Sequence, residues 1–214
     1  MEITLEHPSI QKYSDFWGKL LLDCDTLGRF CGRIESLSNK FEKDEDANKF
    51  KGDVFEIFCE LLIKLSPIDE RIGISDYHPI LANDTGVDGY GKTRDNRPAT
   101  VQIKYRLWDY TLDVIKEHLD NFRWTSYQKF GVDPVKGGQM LIITTGKEIG
   151  WRTLDNHFNG KVKCISRNAS YGCLNGIQLH TIDYLFSLKT LVDNNQFFWN
   201  MFRKLVCLEN IIKV

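Results

Sequence analysis

Asp88, Gln102 and Lys104 are the residues whose types and spacing can do chemistry together. Asp88 follows Gly86-Val87, and Gln102 and Lys104 are two apart in Val101-Gln102-Ile103-Lys104-Tyr105. In a strand, alternate side chains share a face. Gln102 and Lys104 therefore fall on one side, with Val101, Ile103 and Tyr105 on the other. If the segment after Gly86 pairs with this strand, the acid, the amide and the amine converge at one end of a sheet. An Asp carboxylate, a Gln carbonyl and a backbone carbonyl are hard oxygen donors suited to Mg²⁺ or Mn²⁺. A cation held there neutralises charge on a phosphate and acidifies water, and a lysine beside it stabilises the pentavalent state as a point charge. Glu56, from a segment of helical spacing, can complete the coordination. The chemistry such a cluster can do is phosphodiester hydrolysis.

Changes of periodicity mark the elements that must position these residues. Residues 47–65 set Phe50, Val54, Phe58, Leu61 and Leu65 along one side of a helix. The acids of Glu42-Lys43-Asp44-Glu45-Asp46 suit its start, and Pro67 sits just past its end. Glu56 and Glu60, four apart, share a face, so either can be the acid that helix contributes. Short β-like segments follow at 72–80, 86–91 and 99–106, separated by turn-rich stretches. A helix is expected over 111–129, with Leu112, Ile115, Leu119 and Phe122 at helical spacing, and a buried strand at Met140-Leu141-Ile142-Ile143. Beyond it the pattern suggests a helix near 148–158, strands near 162–166 and 176–180, and helices near 181–190 and 194–207. This order describes an α/β sandwich with a mixed sheet.

Upstream, Ile10, Tyr13, Trp17, Leu20, Cys24, Leu27, Cys31 and Ile34 repeat at alternating spacings of three and four. That stripe reads as one long helix over 9–38 with Ser9 as its N-cap. Phe16, Leu21, Phe30 and Leu37 broaden it, so it either packs on its own domain or forms a dimer interface. The charged run at 42–46 then acts as a linker between a helical N-terminal extension, 1–45, and a larger domain, 46–214.

Phe55-Glu56, Gly86-Val87-Asp88 and Val101-Gln102-Ile103-Lys104, in that order, resemble the PD-(D/E)xK nuclease superfamily. The resemblance is strongest to its Mrr-like restriction endonuclease branch, where Gln often replaces the second acid, and it spans about residues 48–190. It implies a restriction-endonuclease-like αβββαβ core, with a central mixed sheet flanked by helices, and cleavage of DNA with Mg (or Mn). Asp88 resembles the metal-binding acid, Gln102 the variable third-strand ligand and Lys104 the catalytic lysine. Glu56, rather than Glu60, resembles the helix glutamate that supports the metal. Asp84, in Asn83-Asp84-Thr85-Gly86, reads better as a turn residue. Two departures stand out: Val87 occupies the nominal proline position, and Gln102 removes a negative charge, which weakens cation affinity. The second motivates an alternative function, a non-cleaving nuclease-fold nucleic-acid-binding or assembly module. Cutting both strands of a duplex calls for two active sites, so a homodimer is expected.

Charge and composition are compatible with DNA as partner. Across 214 residues, 28 Lys and Arg nearly balance 29 Asp and Glu, for a net charge of −1. That average conceals basic stretches: Lys92, Arg94, Arg97 and Arg106, then Lys147, Arg152, Lys161 and Lys163. Such residues hold phosphates without reading sequence. The interleaved Tyr105, Trp108, Tyr110, Trp124 and Trp151 either stack on bases or belong to the core. None of the six cysteines forms a C-x-x-C pair and the five histidines show no ligand spacing, so no zinc is expected. No Walker spacing and no G-x-S-x-G elbow occurs. No apolar run nears the ~20 residues of a membrane helix. The start MEITLEHPSI is not signal-like. The expected location is cytoplasmic or nucleoid-associated, with no membrane and no secretion.

Overall fold

An acidic first turn, Asp44-Glu45-Asp46, opens the helix that organises the chain, where the carboxylates meet the positive end of the helix dipole. A computed structural model describes residues 3–24, 27–65, 72–80, 86–106, 112–147, 154, 158, 162–168 and 202–206. In it this helix, α4, spans Asp44–Leu65. Its Phe50, Val54, Phe55, Ile57, Phe58 and Leu61 are fully buried. It packs on β1 (Ser75–Pro79) and β3 (Pro98–Lys104) of a five-stranded sheet completed by β2 (Gly89–Lys92), β4 (Gln139–Lys147) and β5 (Val162–Asn168).

The strands lie in the order β1-β2-β3-β4-β5. The first two pairings are antiparallel and the last two parallel. A parallel pair needs a long crossover, and α5 (Leu112–Phe130) supplies it between β3 and β4. Both faces of the sheet are covered, which explains the unbroken apolar run in β4. Leu141 and Ile143 join the α4 cluster with Val101 and Ile103, while Met140 and Ile142 join Leu119 and Phe122 of α5. The protein is thus mixed α/β, with a five-stranded mixed sheet flanked by helices.

The expected continuous helix over 9–38 is instead three: α1 (Ser9–Lys12), α2 (Ser14–Leu20) and α3 (Leu27–Ser38). Tyr13 breaks the first join at φ −108°, ψ 25°, and its hydroxyl donates to Asp53 of α4 at 2.8 Å. Asp23, at φ 49°, lies in the turn after α2. Pro8, not Ser9, is the N-cap of α1, and the Ser9 hydroxyl donates to Asp53 at 2.9 Å. The apolar stripe is nonetheless buried at Ile10, Trp17, Phe30 and Ile34, in one cluster with α4 and the sheet. Periodicity reports which side faces a core, and a chain bent around α4 satisfies it as well as a straight rod does. That stripe is therefore covered within the chain and not exposed as an interface.

Cys24, Cys31, Cys59 and Cys164 are buried and form no disulfide among the described residues, and Cys173 and Cys207 lie outside them. Of the expected helix near 148–158, Leu154 and Phe158 are helical and buried. Residues 202–206 are helical too, and the segments expected at 176–180 and 181–190 lie outside the described residues. Among the described residues, no helix is long and apolar enough to cross a membrane.

Candidate active site

The β2–β3 register, with Gly89 opposite Val101, brings Asp88 to the carboxyl end of β3. The Asp88 backbone is held on both sides: its N–H donates to Val101 at 2.9 Å, and its carbonyl accepts from Ile80 at 3.0 Å. Its Oδ2 accepts the Ile103 N–H at 2.6 Å and lies 3.5 Å from Lys104 Nζ. The two side chains are only 17% and 18% exposed. Burial pushes the Asp88 carboxyl up, Lys104 draws it down, the charge of Glu56 pushes it up again and the Ile103 N–H lowers it; the result is about 6. Glu56 is therefore electrostatically part of the same site.

The turn before Asp88 depends on Gly86. Its φ is +75°, and a Cβ there would come within 3.0 Å of the Asn121 and Phe122 backbone on α5. Gly86→Ala is expected to cost about 1–3 kcal/mol, from the positive φ and the clash together. A urea melt checks this as a lower midpoint with an unchanged slope.

Gln102 is 2% exposed, and its amide NH₂ donates to the carbonyls of Gly86 at 3.1 Å and His118 at 3.4 Å. It thus ties the Gly86 turn and α5 to β3. Thr100, two residues earlier, likewise turns toward α5, donating to the Ser126 hydroxyl at 2.8 Å. The nitrogen end of Gln102 is engaged with backbone, so any role as a ligand falls to Oε1.

Glu56 and Glu60, equivalent by spacing, have different environments. Glu60 is fully buried and accepts the backbone N–H groups of Glu6 at 2.6 Å and His7 at 3.1 Å, with Lys64 at 2.7 Å. It anchors the segment ahead of α1. Glu56 keeps 24% of its side chain exposed, meets His7 Nε2 at 3.0 Å, and lines a cavity of about 370 Å³ with Lys51, Lys104 and Arg106. Glu35 of α3 also reaches that cavity, 2.8 Å from Lys51, with its Oε1 buried and without a hydrogen-bond partner among the described residues.

Sequence reasoning missed His7, Lys51 and Glu35. Lys51 carried a signal, since Asn48, Lys51, Gly52 and Glu56 recur at helical spacing and all line the cavity. His7 and Glu35 carried none, because their proximity to Glu56 depends on how the N-terminal helices pack.

The basic residues divide. Lys92, Arg94 and Arg97 are exposed around the turn joining β2 and β3. That is the opposite end of the hairpin: Lys92 is four residues along β2 from Asp88, roughly 13 Å at strand rise. Lys92 lies 3.6 Å from Asp76, and Arg97 donates to the Lys136 carbonyl at 3.5 Å. Arg106 does reach the cavity. Its N–H donates to Thr145 Oγ1 at 2.8 Å, that hydroxyl donates back to the Arg106 carbonyl at 3.0 Å, and its guanidinium donates to the Tyr105 carbonyl at 3.1 Å. Lys163 is half-buried in β5. Arg152, Lys161, Asp84 and the Lys147 side chain lie outside what is described.

Of the interleaved aromatics, Tyr105 packs edge-on to Phe55 and donates to the Cys31 carbonyl, and Trp124 is 66% exposed. Trp108, Tyr110 and Trp151 lie outside the described residues. A larger cavity, about 580 Å³, lies beside the later turns of α5 between Trp124, Tyr127, Val132 and Met140, and none of the site acids lines it. No protein-family model matches the chain, and no curated protein matches it.

Proposed function

We propose that this chain is a metal-dependent DNA endonuclease, with a restriction-endonuclease-like αβββαβ core running from α4 through β4. The observation that carries the reading is Asp88 and Lys104 paired at 3.5 Å, with the charge of Glu56 near enough to help lift the Asp88 carboxyl. The element order α4-β1-β2-β3-α5-β4 supports the proposed core.

The donor set fits Mg²⁺ or Mn²⁺. Asp88 and Glu56 offer anionic oxygens and Gln102 a neutral one. Among the described residues, no group of three or more His, Cys, Asp or Glu side chains is placed to hold a metal ion. Asp88 and Glu56, with Gln102 Oε1, are the residues that would hold a cation, and water and substrate phosphate would have to complete its shell, as is common for Mg²⁺. When bound, it supplies charge neutralisation for the phosphate and a more acidic water. Lys104 balances Asp88 in the resting protein and stands ready to meet negative charge developing on the phosphate. Lys104 and Arg106 supply positive charge to the cavity, where Lys51 is paired with Glu35, and Lys92, Arg94 and Arg97 extend phosphate contacts along the duplex. Double-strand cleavage by one such site per chain calls for a homodimer.

The test incubates purified protein with linear, supercoiled and branched DNA in Mg²⁺, Mn²⁺ or EDTA, beside Lys104→Ala. Cleavage is expected only with a divalent cation and only with Lys104 in place; activity indifferent to EDTA or to Lys104→Ala sinks the proposal. One observation favours the second reading: Gln102 brings no charge, and its amide is engaged in holding backbone. DNA binding without cleavage under every condition selects that reading, a non-cleaving binding or assembly module.

A further inference from the structure

His7 is 49 residues upstream of Glu56 and touches it: its Nε2 lies 3.0 Å from Glu56 Oε2. The residue is 6% exposed. The Ser9 N–H donates to His7 Nδ1 at 3.3 Å, which leaves the ring proton on Nε2, directed at the carboxylate. The backbone carrying this ring is clamped separately, by the N–H groups of Glu6 and His7 on Glu60. Glu60 is one turn further along α4, so one helix sets both the height of the ring and the carboxylate it meets. A partly exposed Glu samples several rotamers, and a hydrogen bond to one oxygen selects among them. That bond fixes Oε2 of Glu56, whose side chain also lines the cavity.

We propose that His7 is a positioning residue for Glu56, so that the segment ahead of α1 belongs to the active site and is not merely appended to it. This rests on the nuclease reading above. His7 touches neither substrate nor cation; it orients the carboxylate that does. Groups in this role, donating to a ligating carboxylate from behind, typically change cation affinity or activity about 10–100-fold when removed.

The experiment titrates Mn²⁺ alone into the metal-free, full-length protein and follows it by electron paramagnetic resonance. Cleavage rates are measured in parallel on the wild type, His7→Ala, His7→Gln, His7→Asn, Glu56→Gln and the His7→Ala/Glu56→Gln double variant. His7→Ala is expected to weaken Mn²⁺ binding at least about tenfold. His7→Gln, whose amide N–H reaches as far as Nε2, is expected to stay within about threefold of wild type, whereas the shorter His7→Asn resembles Ala. In the Glu56→Gln background, His7→Ala adds no further loss. Should His7→Ala fail to fold, the Gln and Asn pair decides the matter. Mn²⁺ affinity indifferent to His7, a Gln variant as weak as Asn, or an equal loss in the Glu56→Gln background overturns the proposal while the nuclease reading stands. Wild-type protein that neither binds Mn²⁺ nor cleaves DNA overturns both.

Discussion

Asp88→Asn is expected to reduce DNA cleavage about 10²–10³-fold or more, the scale of removing one pre-placed electrostatic group from a catalytic site. The fold should survive, because the Asn Oδ1 can still accept the Ile103 N–H that Asp88 Oδ2 accepts at 2.6 Å. The variant also has a signature in stability. The Asp88 carboxyl rises from 3.8 to about 6, chiefly through burial and despite Lys104. A raised folded value means the native state holds the proton more tightly than the unfolded chain does. The stability this contributes is fully present below pH 3.8 and is lost as pH rises through about 6. At about 1.4 kcal/mol per pH unit, the loss is on the order of 3 kcal/mol.

In metal-free buffer, Asp88→Asn should therefore gain stability relative to wild type by about that amount between pH 4 and pH 7, read from urea midpoints. Added Mg²⁺ should restore part of the loss in wild type alone, because the cation binds the ionised carboxylate. With the proposed cation on Asp88, proton and cation would compete for the carboxylate, so wild-type cleavage should fall about tenfold per pH unit below about 6. A wild-type-to-variant difference that stays flat from pH 4 to pH 7 would refute the assignment of the buried acid.

Glu60→Ala and Glu56→Ala should separate two carboxylates that sit one turn apart. Removing the Glu60 side chain leaves the Glu6 and His7 N–H groups without their acceptor and takes one partner from Lys64. Orphaned buried donors and a broken buried ion pair together cost about 3–5 kcal/mol, and the N-terminal segment should loosen first. Glu56 is partly exposed and accepts one side-chain hydrogen bond, so its removal should cost about 1 kcal/mol and lower cleavage about 10²-fold. Urea denaturation and cleavage rates on both variants check the pair. If Glu56→Ala proves the severe folding lesion and Glu60→Ala the catalytic one, the two roles are reversed.

Much of this was legible from local pattern. Asp88 meets Lys104 because a short, turn-bounded segment pairs antiparallel with Pro98–Val101 and leaves Asp88 at the carboxyl end of β3, and both the alternation and the breakers are visible in the chain. α4 begins at Asp44, so the acids expected to form a linker are instead its first turn, as their fit to a helix start also suggested, and the Met140–Ile143 run is buried on both faces as its composition implies. Period and turn chemistry are properties of neighbouring residues, so a sequence displays them directly.

Other features depend on which surfaces meet. The stripe over 9–38 implied burial and, wrongly, one rod; Tyr13 bends it by reaching Asp53, a contact across 40 residues. Lys92, Arg94 and Arg97 are near the motif in sequence but, on a hairpin, end up far from it. Gln102 lies on the expected strand, yet its amide is turned to the carbonyls of Gly86 and His118, a choice made by α5 packing above it. Glu56 and Glu60 are indistinguishable by spacing, and their division of labour is decided by the segment carrying Glu6 and His7. What the sequence by itself determined is the order of α4, the strands β1 to β4 and the α5 crossover, and which residue types they carry. Only the tertiary structure decided which acid faces a cavity, because hydrogen bonds and desolvation act between groups that the chain's local order leaves far apart.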